Sequence, residues 1–101
     1  MTKITASSEL PTYQVIGTTL RIHWNQEQYQ TEDDQIIWNM HEAKTHIHAT
    51  RSEIVETIMK THYPTVGSEF AAINNGGSDY EQYLNFRSFA KELADGWFEQ
   101  Q

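Results

Sequence analysis

A chain of 101 residues is the size of one ordinary domain and buries only roughly 60 to 65% of the surface its unfolded form exposes, so its core is modest. Seven Lys and Arg stand against 14 Asp and Glu, a formal net charge of −7. A field of that sign repels phosphate backbones and anionic lipid, which removes nucleic acid and membrane surfaces from the expected partners, and the lack of any Cys excludes a disulfide framework, a thiolate metal site and a Cys nucleophile.

The apolar fraction is 38%, but three Trp, five Tyr and four Phe are spread along the chain and each brings a large apolar area. A folded domain is expected rather than a disordered chain. Met1 to Leu10 has no basic stretch followed by an apolar run, so no signal peptide is expected. No stretch approaches about 18 consecutive apolar residues, so no membrane span is expected and the chain reads as cytoplasmic.

Residues 1–12 are polar and unpatterned and read as a flexible arm. From Tyr13 the pattern changes. Tyr13, Val15, Leu20, Ile22 and Trp24 alternate with Gln14, Thr19, Arg21 and His23, which predicts strand with Leu20, Ile22 and Trp24 on one face. Gly17 marks a turn or bulge. Residues 25–34 read as a polar connector, and Gln35 to Met40 as a second strand with Ile36, Trp38 and Met40 on one side and Ile37, Asn39 and His41 on the other. Two strands this close in sequence pair most simply as an antiparallel hairpin, spanning 13–43. An isolated hairpin is marginal in water and needs a cover.

The second half is helical, 50–101. Thr50-Arg51-Ser52-Glu53 has the form of a capping box, and Ile54, Val55, Ile58, Met59 and His62 recur behind it at helical spacing. Tyr63 before Pro64 is pushed out of the helical region, which predicts a helix over 51–61. A short helix over 65–74 follows, capped by Thr65, carrying Val66, Glu69, Phe70 and Ile73, and stopped by Asn74-Asn75-Gly76-Gly77. Ser78-Asp79-Tyr80-Glu81 reads as a second capping box. Tyr83, Phe86, Ala90, Leu93 and Trp97 then recur at steps of three and four, predicting the longest helix over 79–98. The fold class is α+β in a single domain: an N-terminal antiparallel hairpin or small sheet, covered by three C-terminal helices. The helical stripes are expected to close over a strand face bearing Leu20, Ile22, Trp24, Ile36 and Trp38.

Chemistry-bearing patterns are few. In an extended segment His46-Ile47-His48 places both imidazoles on one side, a spacing metals use, with His41 or Glu42 as a third ligand. Two ligands alone make no site. His62, near the end of its helix, suits the helix dipole. No nucleophile elbow occurs, and Asn74 to Gly77 lacks the Lys and helix start of a phosphate loop. No carboxylate stands in an apolar context that would fit it for acid catalysis, and Glu42 and Glu69 are expected to cap or face water. Neither an enzyme nor a cofactor is expected. Among the aromatics of the last helix, Tyr83, Phe86 and Trp97 fit its core stripe, whereas Tyr80, Phe89 and Phe98 fall off its centre. Those three are the candidate partner-binding residues, for another protein or a second copy of this chain.

The stretch from Ile54 to Trp97 has an order of its own. A capped helix ends in Lys60-Thr61-His62-Tyr63-Pro64, and Gly67-Ser68-Glu69 and Ala71-Ala72-Ile73-Asn74-Asn75 follow. Asp79-Tyr80-Glu81-Gln82-Tyr83, Phe86-Arg87, Ala90-Lys91 and Ala94 complete it. It resembles a group of small prophage proteins encoded in tail or tail-fibre regions. The resemblance implies a phage- or prophage-derived accessory protein, cytoplasmic in a bacterial host or virion-associated, that binds a phage tail or assembly protein. Two rivals come from the residues themselves: a metal-binding module using His46 and His48, and a small acidic regulator whose Glu32, Asp33 and Asp34 imitate nucleic acid.

Overall fold

A computed structural model describes residues 3–100. Four strands precede three helices: β1 (Lys3–Ala6), β2 (Tyr13–Ile16), β3 (Thr19–Gln30), β4 (Ile36–His46), α1 (Arg51–Met59), α2 (Val66–Asn75) and α3 (Gly77–Glu99). This is the α+β class, with a four-stranded antiparallel sheet in place of a bare hairpin and the last helix longest. The chain divides after His48 into two compact units, a sheet unit and a helical unit.

In the sheet unit the strand order is β1-β4-β3-β2. The long β3–β4 hairpin is its spine, because Leu20, Ile22 and Trp24 need a cross-strand surface to bury against and β4 presents Ala43 and His41 opposite them. Ile16 pairs with Thr19 across a two-residue turn, Gly17-Thr18. Gly17 takes φ 63° at its first position, the left-handed conformation that matches the twist of a tight hairpin.

Residues 3–6, expected within a flexible arm, are strand β1, pairing Lys3 to Ala6 with His41 to Trp38. Local composition misled here: a four-residue edge strand is held by its partner's ladder, not by its own hydrophobicity. The part of that arm before Lys3 lies outside the described residues. The connector expected over 25–34 is also shorter. β3 runs on to Gln30, and only Thr31 to Gln35 turns, closed by the Thr31 N–H donating to the Gln35 carbonyl at 2.7 Å and by Asp34 in the left-handed region. Polar strand residues with solvent on both sides carry no apolar alternation, so their pairing is invisible to it.

The expected single apolar face is also divided. Register pairs Trp24 with His41 and Ile22 with Ala43, so Leu20, Ile22 and Trp24 share a face with the odd-numbered residues of β4. Ile36, Trp38 and Met40 lie on the opposite face, with His23 and Glu42. A bulge between Trp24 and Glu27 sets two residues, Asn25 and Gln26, against one, and Asn25 adopts φ 52° to make it.

In the helical unit α1 begins with the expected capping box. The Glu53 N–H donates to Thr50 Oγ1 at 3.2 Å and the Thr50 N–H donates to Glu53 Oε1 at 3.0 Å. Its apolar residues Ile54, Val55, Ile58 and Met59 are all buried. α2 starts at Thr65 with a reciprocal pair to Ser68. The second capping box, Ser78 to Glu81, does not form: α3 already begins at Gly77, so Ser78 is inside the helix and its N-cap is Gly76, with no side-chain cap. Gly76 takes φ 63°, ψ −164°, a region open essentially to glycine alone, and so ends α2 and starts α3 in one residue. α3 buries Tyr83, Ala90 and Ala94. Ala90 and Ala94, one turn apart, let α3 lie close to its neighbour, and two ion pairs stitch α1 to α3 at the rim: Arg51 with Asp95, and Arg87 with Glu56 at 3.3 Å.

Candidate functional site

The most enclosed polar cluster lies on the sheet. His23 and Glu42 are directly opposed in the β3–β4 register, and both are nearly sealed from solvent, at 1% and 7% exposed. His23 Nε2 meets Glu42 Oε2 at 2.9 Å, and His23 Nδ1 meets the Pro11 carbonyl at 2.8 Å. A carbonyl only accepts, so Nδ1 carries a proton and donates it, and the other ring nitrogen is taken up by the Glu42 carboxyl group. Arg21 reaches the same carboxylate at 3.6 Å and Lys44 reaches its other oxygen at 3.7 Å. Glu42, expected to cap or face water, is thus a buried carboxylate ringed by three nitrogen groups.

This cluster works as a latch. The backbone N–H of His23 donates to the Thr12 carbonyl at 2.8 Å, and the Gln26 side chain both accepts from the Leu10 N–H and donates to the Leu10 carbonyl. Residues 10–12 are therefore pinned along β3, extending the line of β2. Every donor and acceptor of the His23 ring is spent on structure. A general base needs a free lone pair facing a substrate, and His23 has none.

His46 and His48 are both exposed, with ring centroids 5.3 Å apart. His46 Nδ1 accepts from the His48 backbone N–H at 3.1 Å, which occupies one ligating nitrogen of the pair. Among the described residues no group of three His, Asp or Glu side chains gathers at one point.

The aromatics of α3 separate by their neighbours. Tyr83 is buried and meets Tyr63 edge-on at 5.2 Å, and the Phe86 ring lies tilted against His62 with centroids 4.0 Å apart. His62 itself lies beyond the end of α1, in the turn, and is exposed. Of the three candidate partner-binding residues, Phe89 is half-buried and lies 6.1 Å from Phe86, whereas Tyr80 and Phe98 are 40% and 42% exposed. Burial pushes the Tyr63 hydroxyl above its ordinary range, reinforced by the nearby Asp79 charge and by Tyr83.

An exposed apolar set on α2 was not singled out by sequence. Val66, Phe70 and Ile73 on α2 are 65%, 58% and 41% exposed. Their spacing of four and three residues puts them on one stripe of the helix, while the same helix buries only Ala72. Leu84, one turn beyond Tyr80 on α3, is 43% exposed. The signal was present in the 66, 70, 73 spacing, but periodicity reports that a stripe exists and not whether anything covers it.

The Arg51–Asp95 pair makes a small, checkable contribution. The Asp95 carboxyl is held below its usual range by its hydrogen bond to Arg51, working against a slight desolvation in the other direction. A depressed carboxylate stabilises the fold above its unfolded value and loses that contribution as pH falls through the folded one. Acid unfolding of Asp95→Asn, followed by circular dichroism, is expected to show a flatter loss of stability below about pH 4 than the parent chain. The pair is exposed, so the difference is small and is screened by salt.

The fold and these surfaces define a small α+β chain with an internal polar latch and an uncovered helical face. Searches of protein-family models, curated proteins and solved structures found no match to this chain. Among the described residues no helix is long and apolar enough to cross a membrane.

Proposed function

We propose that this chain is a non-catalytic accessory protein that acts by binding another protein, in phage tail assembly or structure. The observation that carries the binding role is the Val66, Phe70, Ile73 stripe of α2, left open to solvent together with Tyr80 and Leu84 at the start of α3. Scattered exposed apolar residues need no explanation, but an ordered set on one helix face is what partner surfaces are made of. The commitment of His23 and Glu42 to Pro11, Arg21 and Lys44 supports a role without acid–base chemistry. The phage setting rests on the resemblance of residues 54–97, and it places the protein in the bacterial cytoplasm during assembly or on the virion.

The test is capture of the tagged chain, with cross-linking, from an induced lysogen or phage lysate. A tail or assembly protein is expected as the specific partner. Recovery of metabolic enzymes alone would overturn the proposal.

A further inference from the structure

We infer that the Val66, Phe70, Ile73 face of α2 receives an amphipathic helix that carries Lys or Arg beside its own apolar stripe. The inference rests on the protein-binding reading above and names the chemistry of the partner. Residues at i, i+4 and i+7 present one continuous ridge, and a helix laid against it offers the complementary i, i+3, i+4, i+7 anchors. All three ridge residues are more than two-fifths exposed, while α2 turns only Ala72 fully inward.

Charge selects among the possible occupants. Between Lys60 and Arg87 the sequence holds Glu69, Asp79 and Glu81 and no Lys or Arg at all. Glu69 lies three residues after Val66 and four before Ile73, so it borders the ridge directly. A second copy of this chain, meeting the ridge across a two-fold axis, brings Glu69 toward its own equivalent within a molecule of net charge −7. Anionic lipid meets the same repulsion. A helix with cationic flanks instead gains attraction from the border and apolar contact from the ridge, the first raising its association rate and the second its residence time.

The probe is a synthetic Leu/Lys amphipathic helix of about 18 residues, with a scrambled peptide of equal charge as control. It is titrated into the full chain and followed by amide chemical shifts. Shifts are expected to centre on residues 66–73 with the amphipathic peptide and to be absent with the scrambled one. Phe70→Ser is expected to weaken binding by about tenfold or more, as loss of an anchor does. Because Phe70 is exposed, that variant keeps its fold, which its own spectrum verifies. Glu69→Gln is expected to weaken binding severalfold and to flatten its salt dependence. Equal binding of the scrambled peptide, or unchanged binding by Phe70→Ser, overturns the inference. So does a Phe70-dependent dimer in sedimentation, or Phe70-dependent flotation on phosphatidylglycerol vesicles. If the peptide fails while the chain still captures a tail or assembly protein through other residues, this inference falls and the protein-binding function stands.

Discussion

Replacing Glu42 by Ala is expected to cost about 3 kcal/mol of folding stability, a large share of the roughly 5 to 15 kcal/mol typical of a domain. The carboxylate is the hydrogen-bond partner of His23 at 2.9 Å and the counter-charge of Arg21 at 3.6 Å and Lys44 at 3.7 Å, and it is 7% exposed. Its removal leaves the His23 Nε2 facing a void on a ring that is 1% exposed, and it leaves a half-buried guanidinium without its counter-charge. An unmade buried contact of this kind costs more than the contact is worth when made. Glu42→Gln preserves the shape and one hydrogen bond and is expected to cost less, about 1 to 2 kcal/mol. Urea unfolding followed by tryptophan fluorescence measures both. A Glu42→Ala variant within about 0.5 kcal/mol of the parent would show that the latch contributes nothing. Because the same cluster holds the Pro11 carbonyl, amide exchange at residues 10–14 is expected to accelerate in the Ala variant ahead of the rest of the sheet.

The second large effect separates two isoleucines that look alike in the sequence. Ile58 on α1 is fully buried, and truncation to Ala removes three buried carbons and leaves a cavity, an expected loss of about 2 to 5 kcal/mol. Ile73 on α2 is 41% exposed, and Ile73→Ala is expected to stay within about 0.5 kcal/mol of the parent. Thermal or urea unfolding of the two variants gives the comparison. A cost at Ile73 near that at Ile58 would mean that the α2 face is covered in the purified chain, and the binding ridge would lose its basis. The contrast states what α2 does: it contributes one small buried residue, Ala72, to its own unit and turns its large apolar side chains outward.

Local physics made much of this fold legible before any coordinates. Thr50 and Glu53, and Thr65, start helices where their side chains can satisfy free backbone N–H groups, and those bonds are made within a few residues of sequence. Gly17 and Gly76 turn the chain where only a residue without Cβ does so cheaply. Of the α3 stripe Tyr83, Phe86, Ala90, Leu93 and Trp97, which is a property of helical pitch, Tyr83 and Ala90 are buried and the other three half-buried, with Ala94 buried beside them.

What the sequence withheld were the features that depend on a distant partner. Lys3 to Ala6 becomes strand only because residues 38–41 of β4 offer a ladder, and Gln26 reads as loop until Leu10 lies beside it. His23 and Glu42 stand 19 residues apart, and one bulge, one turn length and one register decide that they meet. A slip of a single residue would put them on opposite faces. The same holds for the candidate site: the residues that make α2 amphipathic are written in its sequence, whereas their exposure is decided by which helix packs beside them. Periodicity is set by bonds along the chain, and burial by contacts across it.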